Sequence, residues 1–349
     1  MVWGLRVENA MAEMKAFVLE EPAPVEDRPL QMTRTERPTA CPDEILVRVS
    51  ACGVCRTDLH VCEGELAQRR PNVIPGHQVV GRVVETGRDV EVFSGGERVG
   101  VAWLNRTCGL CVYCRSKREN LCDSTDFTGW TVDGGFAEYI KAPSEFVYPI
   151  PDGFSDTQAA PLLCAGIIGY RALRLTGIAE CDWSGARLGI FGFGAAGHVA
   201  IQIARFWGAE VYVATRDRER HQRLAGELGA KWVGETFEKI PDQLDASIVF
   251  APAGEIVPVA LASLSKGGTL VLGGIYMTPI PELEYQLLYG ERTVRTVANN
   301  TREDGREFFV SAEKAGVKTH VVEFPFEETP EALISLKHDA IRGAAVIRI

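Results

Sequence analysis

Four stretches near the start of the chain carry β-type patterning. Lys15–Leu19 is a short apolar run, and Glu44–Ala51 sets Ile45, Val47 and Val49 alternately against polar neighbours. That two-residue period belongs to a half-buried strand. Gly76–Glu85 and Arg98–Trp103 are further β-rich runs, and Pro71, Pro75, Gly87, Gly95 and Gly96 punctuate between them. Together they predict a barrel-like β unit with function on its loops. The pattern changes near Gly166. Ile167–Leu175 predicts a helix, Arg187–Phe191 a short apolar strand, Val199–Trp207 a helix ended by Gly208, and Glu210–Ala214 the next strand. Ala246–Phe250, Val257–Leu264 and Gly268–Gly273 continue as strand, helix and strand, an alternation that predicts a parallel, doubly wound sheet. Val321–Phe324, a helix over Pro330–Lys337 and Ala344–Ile349 predict a return to the first unit. The expected division is 1–165 with 299–349 against 166–298, and residues 1–13 read as a dispensable extension.

Three constellations carry chemistry. Gly192-Phe-Gly194-Ala195-Ala196-Gly197 lies between a predicted strand and a predicted helix, the setting that gives a G-x-G-x-x-G run its meaning. Its first two glycines allow a tight turn close to a pyrophosphate, and the third allows helix and strand to pack closely. The helix N-terminus then offers unpaired N–H groups to the phosphates. Cys108, Cys111, Cys114 and Cys122 are spaced C-x2-C-x2-C-x7-C. Four soft thiolates that close can complete a tetrahedral zinc shell with no open position, which makes it structural. An iron–sulfur run is the competing reading, but its last gap is three residues followed by proline, against seven and no proline here. Cys55, His77 and Cys164 form a looser set, two thiolates and an imidazole, which is the composition of a catalytic zinc site with one open position.

Composition narrows the field. At 349 residues the chain exceeds a single core, and 46% hydrophobic with 24% charged residues is ordinary globular composition. A net charge of −10 argues against nucleic acid or an anionic membrane as partner. No apolar run is long enough to span a bilayer, and the first fourteen residues lack an apolar signal region. The ten cysteines are therefore expected in a reducing, cytoplasmic setting, as ligands or buried apolar residues.

From about Lys15 to its end the chain resembles the zinc-dependent medium-chain dehydrogenases, the alcohol dehydrogenase family. The resemblance implies a GroES-like β-barrel catalytic domain joined to a Rossmann cofactor domain, two Zn²⁺ per chain, and a homodimer or homotetramer. It assigns Cys55, His77 and Cys164 to a catalytic zinc and the four clustered cysteines to a structural one. Asp58 would orient the liganding histidine, Arg56 would reach the cofactor pyrophosphate, and Thr57 with His60 would relay a proton by way of the nicotinamide ribose. Gly192, Gly194, Ala195, Ala196, Gly197, Gly273 and Gly274 fall at cofactor positions. Two departures stand out. Gln78 follows the zinc-binding histidine where the family usually has Glu. Arg342-Gly343-Ala344 replaces a family Gly-Arg pair before the last strand.

The implied reaction moves a hydride between an alcohol or aldehyde and NAD(P), with zinc polarising the substrate oxygen. NADP(H) is favoured over NAD(H). Thr215 stands where NAD-binding domains carry an acid at the end of the second strand, and Arg216 offers a fork for a 2′-phosphate. Arg218 and Arg220 add charge, while Asp217 is the acid that would favour NAD instead. A polyol dehydrogenase of the same fold is the alternative enzyme, opposed by apolar candidate pocket residues Trp103, Leu104, Phe127 and Trp130. A non-catalytic, zinc-stabilised nucleotide-binding protein is the alternative class, opposed by the intact Cys55, His77 and Cys164 set.

Overall fold

The computed structural model describes residues 12–179 and 182–349, so most of the predicted N-terminal extension, and Cys181, lie outside the described residues. Two sheets organise the chain. The first has seven strands. Its path runs Val321–Pro325, Ala344–Arg348, Glu44–Val54, Gln78–Thr86, Arg98–Val101 and Val147–Pro149, with Tyr139–Pro143 also paired to Glu44–Val54. All its pairs are antiparallel except that of the two C-terminal strands. Glu44–Val54 is the spine. Register shifts between Leu46 and Val47 and between Val49 and Ala51 mark bulges, which bend a strand and increase its twist. The alternation read from the sequence turns Ile45, Val47 and Val49 into one apolar core with Val79, Val83, Val99, Val101 and Ile347.

The second sheet has six parallel strands in the order Trp232–Gly234, Glu210–Ala214, Arg187–Phe191, Leu244–Val249, Leu264–Leu272 and Thr293–Thr296. The chain enters in the middle, at Arg187–Phe191, winds outward on one side and returns on the other. Parallel winding places every strand's C-terminal end on one edge. The reversal opens a crevice there between Arg187–Phe191 and Leu244–Val249.

Three differences from the sequence pattern have physical causes. The helix after the glycine turn starts at Ala195, not Val199, so Gly197 lies inside it. The helix predicted to reach Leu264 ends at Ala262, and Leu264, fully buried, begins the next strand. A helix over Arg302–Ala315, opened by a Thr301–Asp304 capping box and closed by Gly316 in the left-handed region, did not emerge from the pattern. Its mean character is polar, and beside Asp304 and Gly305 it buries only the apolar residues Phe308, Phe309 and Ala312. It packs on helices Ala165–Leu175 and Ala195–Phe206, with Phe308 filling the space a side chain at Gly166 would need. Burying each phenylalanine is worth roughly 1.5–3 kcal/mol. The segment from 299 therefore first sides with the α/β unit, and only Val321–Pro325 and Ala344–Arg348 rejoin the first sheet. The strands Leu30–Glu36 and Thr293–Thr296 were likewise absent from the sequence pattern, since both carry mainly exposed residues with no apolar face.

Candidate active site and metal centres

Glu44–Val54 delivers Cys55, and the chain turns at once into helix Arg56–Cys62. The turn is a capping box in which Cys55 replaces the usual hydroxyl. Its Sγ accepts from the Thr57 N–H at 3.4 Å, and Asp58 Oδ2 accepts from the Cys55 N–H at 2.8 Å. Asp58 uses its other oxygen to accept from His77 Nδ1 at 2.9 Å. One buried carboxylate thus fixes both the cysteine and the histidine. His77 immediately precedes strand Gln78–Thr86, and Cys164 is the N-cap of helix Ala165–Leu175. Cys55 Sγ lies 3.4 Å from His77 Nε2 and 4.0 Å from Cys164 Sγ, and the three ligand atoms fall within 4.8 Å of one another. A tetrahedral zinc with Zn–S near 2.3 Å requires sulfur–sulfur edges of about 3.7 Å, whereas a disulfide requires about 2.05 Å. The three residues fit a metal ion.

In the metal-free cluster burial alone would depress the His77 imidazole, but Asp58 and the Cys55 sulfur overcome that and hold its pKa at about 10, so that a metal ion would displace a proton from Nε2. Without metal, the Cys164 thiol donates to Cys55, which keeps Cys55 well below the ordinary thiol range and Cys164 above it. Such a cluster carries stored negative charge for a cation. Gln78, the departure from the family's Glu, is buried; its side chain folds over Gly53, and its amide nitrogen has no partner among the described residues.

The second cluster is built locally. Cys108, Cys111, Cys114 and Cys122 place their sulfurs within 4.8 Å of one another, with edges of 3.9, 3.5 and 3.5 Å. Cys111 caps the short helix Val112–Arg115, and Cys108 accepts backbone N–H groups from Leu110 and Cys111 at 3.5 and 3.3 Å. Those donors, Leu110 first, lower the Cys108 pKa to about 6, whereas burial raises Cys122 to about 11. Four sulfurs with these edges fit a closed tetrahedral shell. The lobe is anchored to the α/β unit by buried Glu119, which accepts from the Arg302 backbone N–H at 3.0 Å, and by Asn120, which donates to the Ala298 carbonyl at 2.7 Å.

Around the three-ligand cluster, Trp103 sets its ring edge-on to His77 at 5.0 Å, then stacks with Phe127 at 5.2 Å and Trp130 at 5.9 Å. The three rings are half-buried, an aromatic rim at the mouth of the site. Leu104 is fully buried instead and is closed off from solvent. Thr57 is buried beside the cluster, and Arg56 is exposed on the same helix turn. His60, one turn on, pairs through Nδ1 with the Glu65 carboxylate and faces Tyr276 of the α/β unit with ring centres 5.7 Å apart. Glu65 and Tyr276 had no signal in the sequence. Glu65 comes within reach because the Leu66 N–H bonds the His60 carbonyl at 3.0 Å and folds the chain back.

The cofactor positions gather on the C-terminal edge of the parallel sheet. Gly192 has φ +87°, and a Cβ there would sit 2.7 Å from the Ala251 nitrogen. A Cβ on Gly197 would meet the Gly192 carbonyl at 3.0 Å. Gly194 has nothing within 4 Å of its missing Cβ and caps the twelve-residue helix Ala195–Phe206 without a side-chain bond. This open helix end with free N–H groups fits a pyrophosphate. Gly273 and Gly274 end the strand Leu264–Leu272 on the same edge, where the Gly273 N–H bonds the Val249 carbonyl at 2.8 Å. Thr215 differs from expectation. It is buried beneath the turn, its hydroxyl accepting from the Phe193 N–H at 3.2 Å, and the outward positions belong to Arg216 and Arg218. Asp217 caps the next helical turn and accepts from Arg220 Nε at 2.6 Å. Arg342 is held by Glu227 at 2.7 Å.

Two family models match the chain: the alcohol dehydrogenase GroES-like domain over residues 41–152 and the zinc-binding dehydrogenase over residues 195–314. A probable alcohol dehydrogenase, AdhA, of Mycobacterium tuberculosis is 46% identical across 97% of this chain and 98% of its own length. Among solved structures, a cinnamyl alcohol dehydrogenase from Sorghum bicolor is similar at a TM-score of 0.88 and 26% identity, over 97% of this chain and 98% of that one. A zinc-binding dehydrogenase from Sinorhizobium meliloti, solved with NADP, is similar at 0.83 and 27%, over 97% and 100%. With the GroES-like domain, the parallel cofactor sheet and relatives of this closeness, the chain belongs to the zinc-dependent medium-chain alcohol dehydrogenases, oxidoreductases that work with zinc and a nicotinamide cofactor on alcohols or aldehydes.

Proposed function

We propose that the chain is an NADP(H)-preferring alcohol dehydrogenase or aldehyde reductase with two zinc ions. Cys55, His77 and Cys164 hold the catalytic ion, and Cys108, Cys111, Cys114 and Cys122 hold the structural one. The observation that carries the reading is an incomplete three-ligand shell beneath an aromatic rim, facing the crevice of a dinucleotide-binding sheet. Bound there, zinc supplies a Lewis acid for the substrate oxygen and the nicotinamide supplies hydride exchange. The chain's own residues do the rest. Asp58 locks the tautomer of His77, so that Nε2 faces the cluster. The Thr57 hydroxyl holds a proton at the cluster, and His60, positioned by Glu65, exchanges it with solvent. Trp103, Phe127 and Trp130 exclude water and select aliphatic or aromatic substrates over polyols, which need polar partners.

The NADP preference rests on the sheet edge. The acid nearest the second strand, Asp217, is committed to Arg220, and Arg216 is 71% exposed with one long contact to Asp339 at 3.3 Å. Arg56 and the Gly192–Gly197 turn would take the pyrophosphate. We further place the chain in a homodimer or homotetramer, as the family resemblance implies. The test is kinetic: kcat/KM with NADPH and NADH over a panel of aromatic, aliphatic and polyol substrates. A preference for aromatic or aliphatic substrates with NADPH supports the reading, and a preference for polyols or for NADH counts against it.

A further inference from the structure

Apart from the sites above, one cavity has a charge opposed to that of the chain. It encloses about 230 Å³ between the four-cysteine lobe and the α/β unit. Lys117 and Arg118 enter from the lobe, Arg171 and Arg174 from helix Ala165–Leu175, and Arg295 from the edge strand. Of the lining residues only Glu303 and Asp304 are acidic against these five cations, in a chain of net charge −10. Gathered like charges repel unless something offsets them. Part of the offset is internal. Asp304 accepts from Arg171 at 2.5 Å and from Arg174 at 2.9 Å, and Glu307 pairs with Arg174 at 2.9 Å.

The remainder has no internal answer. Among the described residues Lys117, Arg118 and Arg295 form no ion pair; Arg118 donates to the Ser116 hydroxyl and lies over the Tyr113 ring, and Arg295 donates to the Leu175 carbonyl. Arg171 Nε is buried with no hydrogen-bond partner among the described residues. A buried guanidinium N–H without an acceptor is costly, so a bound acceptor would relieve it.

We propose that this cavity binds a phosphate group. Forked guanidinium donors match phosphate oxygens, and several cations suit an anion of charge two. Cavities for drug-sized ligands run about 300–1,000 Å³, so this one takes inorganic phosphate or the phosphate end of an ester and excludes a whole nucleotide. No lining residue belongs to the glycine turn or to either cysteine cluster. Helix Ala165–Leu175 links the cavity to the reaction site, because its N-cap is Cys164 and its last turns carry Arg171 and Arg174.

The experiment is calorimetric titration of zinc-loaded, NADP-saturated enzyme in a phosphate-free buffer of fixed ionic strength. Saturating NADP removes the cofactor site as a competitor. The probes are inorganic phosphate and phenyl phosphate. Saturable binding of either, weakened about 10-fold or more in Arg118→Ala/Arg295→Ala by loss of two charge-assisted contacts and retained in Arg216→Ala, supports the site. Binding of phenyl phosphate alone assigns it to the end of an ester. The single variant Arg118→Ala, at an exposed position, stands in if the double variant does not fold. No saturable binding of either probe, equal binding by wild type and variants, or a response that only follows ionic strength overturns the proposal.

Discussion

Two cysteine-bearing clusters in one domain are made in opposite ways. The four-cysteine lobe draws all its ligands from the fifteen residues Cys108–Cys122 and stands at the surface, with Cys108 exposed and Leu110 71% exposed. The three-ligand cluster draws on residues 22 and 109 positions apart, with His77 only 1% exposed. A local cluster can form as soon as a metal arrives, and its metal then holds a segment with little core of its own. The dispersed cluster exists only once strand Glu44–Val54, the start of Gln78–Thr86 and the cap of helix Ala165–Leu175 are all in place. Stability is therefore expected to depend on the lobe, and chemistry on the dispersed set.

Substitutions can break this comparison from either side. The largest effect is expected for Cys164→Ser, which leaves two protein ligands at the dispersed cluster. Turnover should fall by more than about 100-fold, beyond what loss of an outer partner costs, while thermal unfolding stays close to wild type. Next, Cys111→Ser should lower Tm by on the order of 10 °C; an unchanged melting curve would show that the lobe does not depend on metal. Asp58→Asn tests whether the buried carboxylate organises the site. It should cost about 10–100-fold in activity or zinc affinity, and full activity would remove Asp58 from the account.

A smaller effect separates two buried histidines. His77 has partners on both ring nitrogens, whereas His198 bonds backbone through Nδ1, at the Gly194 carbonyl, and its Nε2 has no partner among the described residues. Burial, aided by nearby His320, lowers the His198 pKa to about 4 from an ordinary 6.5. The unfolded chain then takes up a proton there before the folded one does. The folded state keeps the associated stability above pH 6.5 and loses it as pH falls toward 4. At pH 5 the loss relative to pH 8 is ~2 kcal/mol. His198→Gln should flatten this part of the stability profile, measured by urea unfolding at pH 5 and 8; parallel profiles would contradict the burial argument.

The chemistry of the site was more legible than some of its scaffold. Strands Arg187–Phe191 and Glu210–Ala214 stand where their apolar runs predicted, because buried parallel strands are apolar on both faces. The metal-type clusters were readable because few residue types ligate metals and their spacing is constrained. Helix Arg302–Ala315 was hidden because its character is mainly polar, leaving only three apolar residues to mark its buried face. Thr215 shows a different limit. Its position at the strand end was correct, but only the three-dimensional turn reveals that its hydroxyl supports Phe193 from below. Glu65 and Tyr276 reach His60 through a fold-back and across the crevice, and neither contact leaves a periodic trace.

The division of labour between the clusters is tested most directly by zinc content measured with melting temperature for wild type, Cys164→Ser and Cys111→Ser. Two zinc ions per wild-type chain are expected, and one in Cys164→Ser with little change in Tm. Cys111→Ser should also lose one ion, with a large fall in Tm. One ion per wild-type chain, or equal thermal losses in the two variants, would contradict the account.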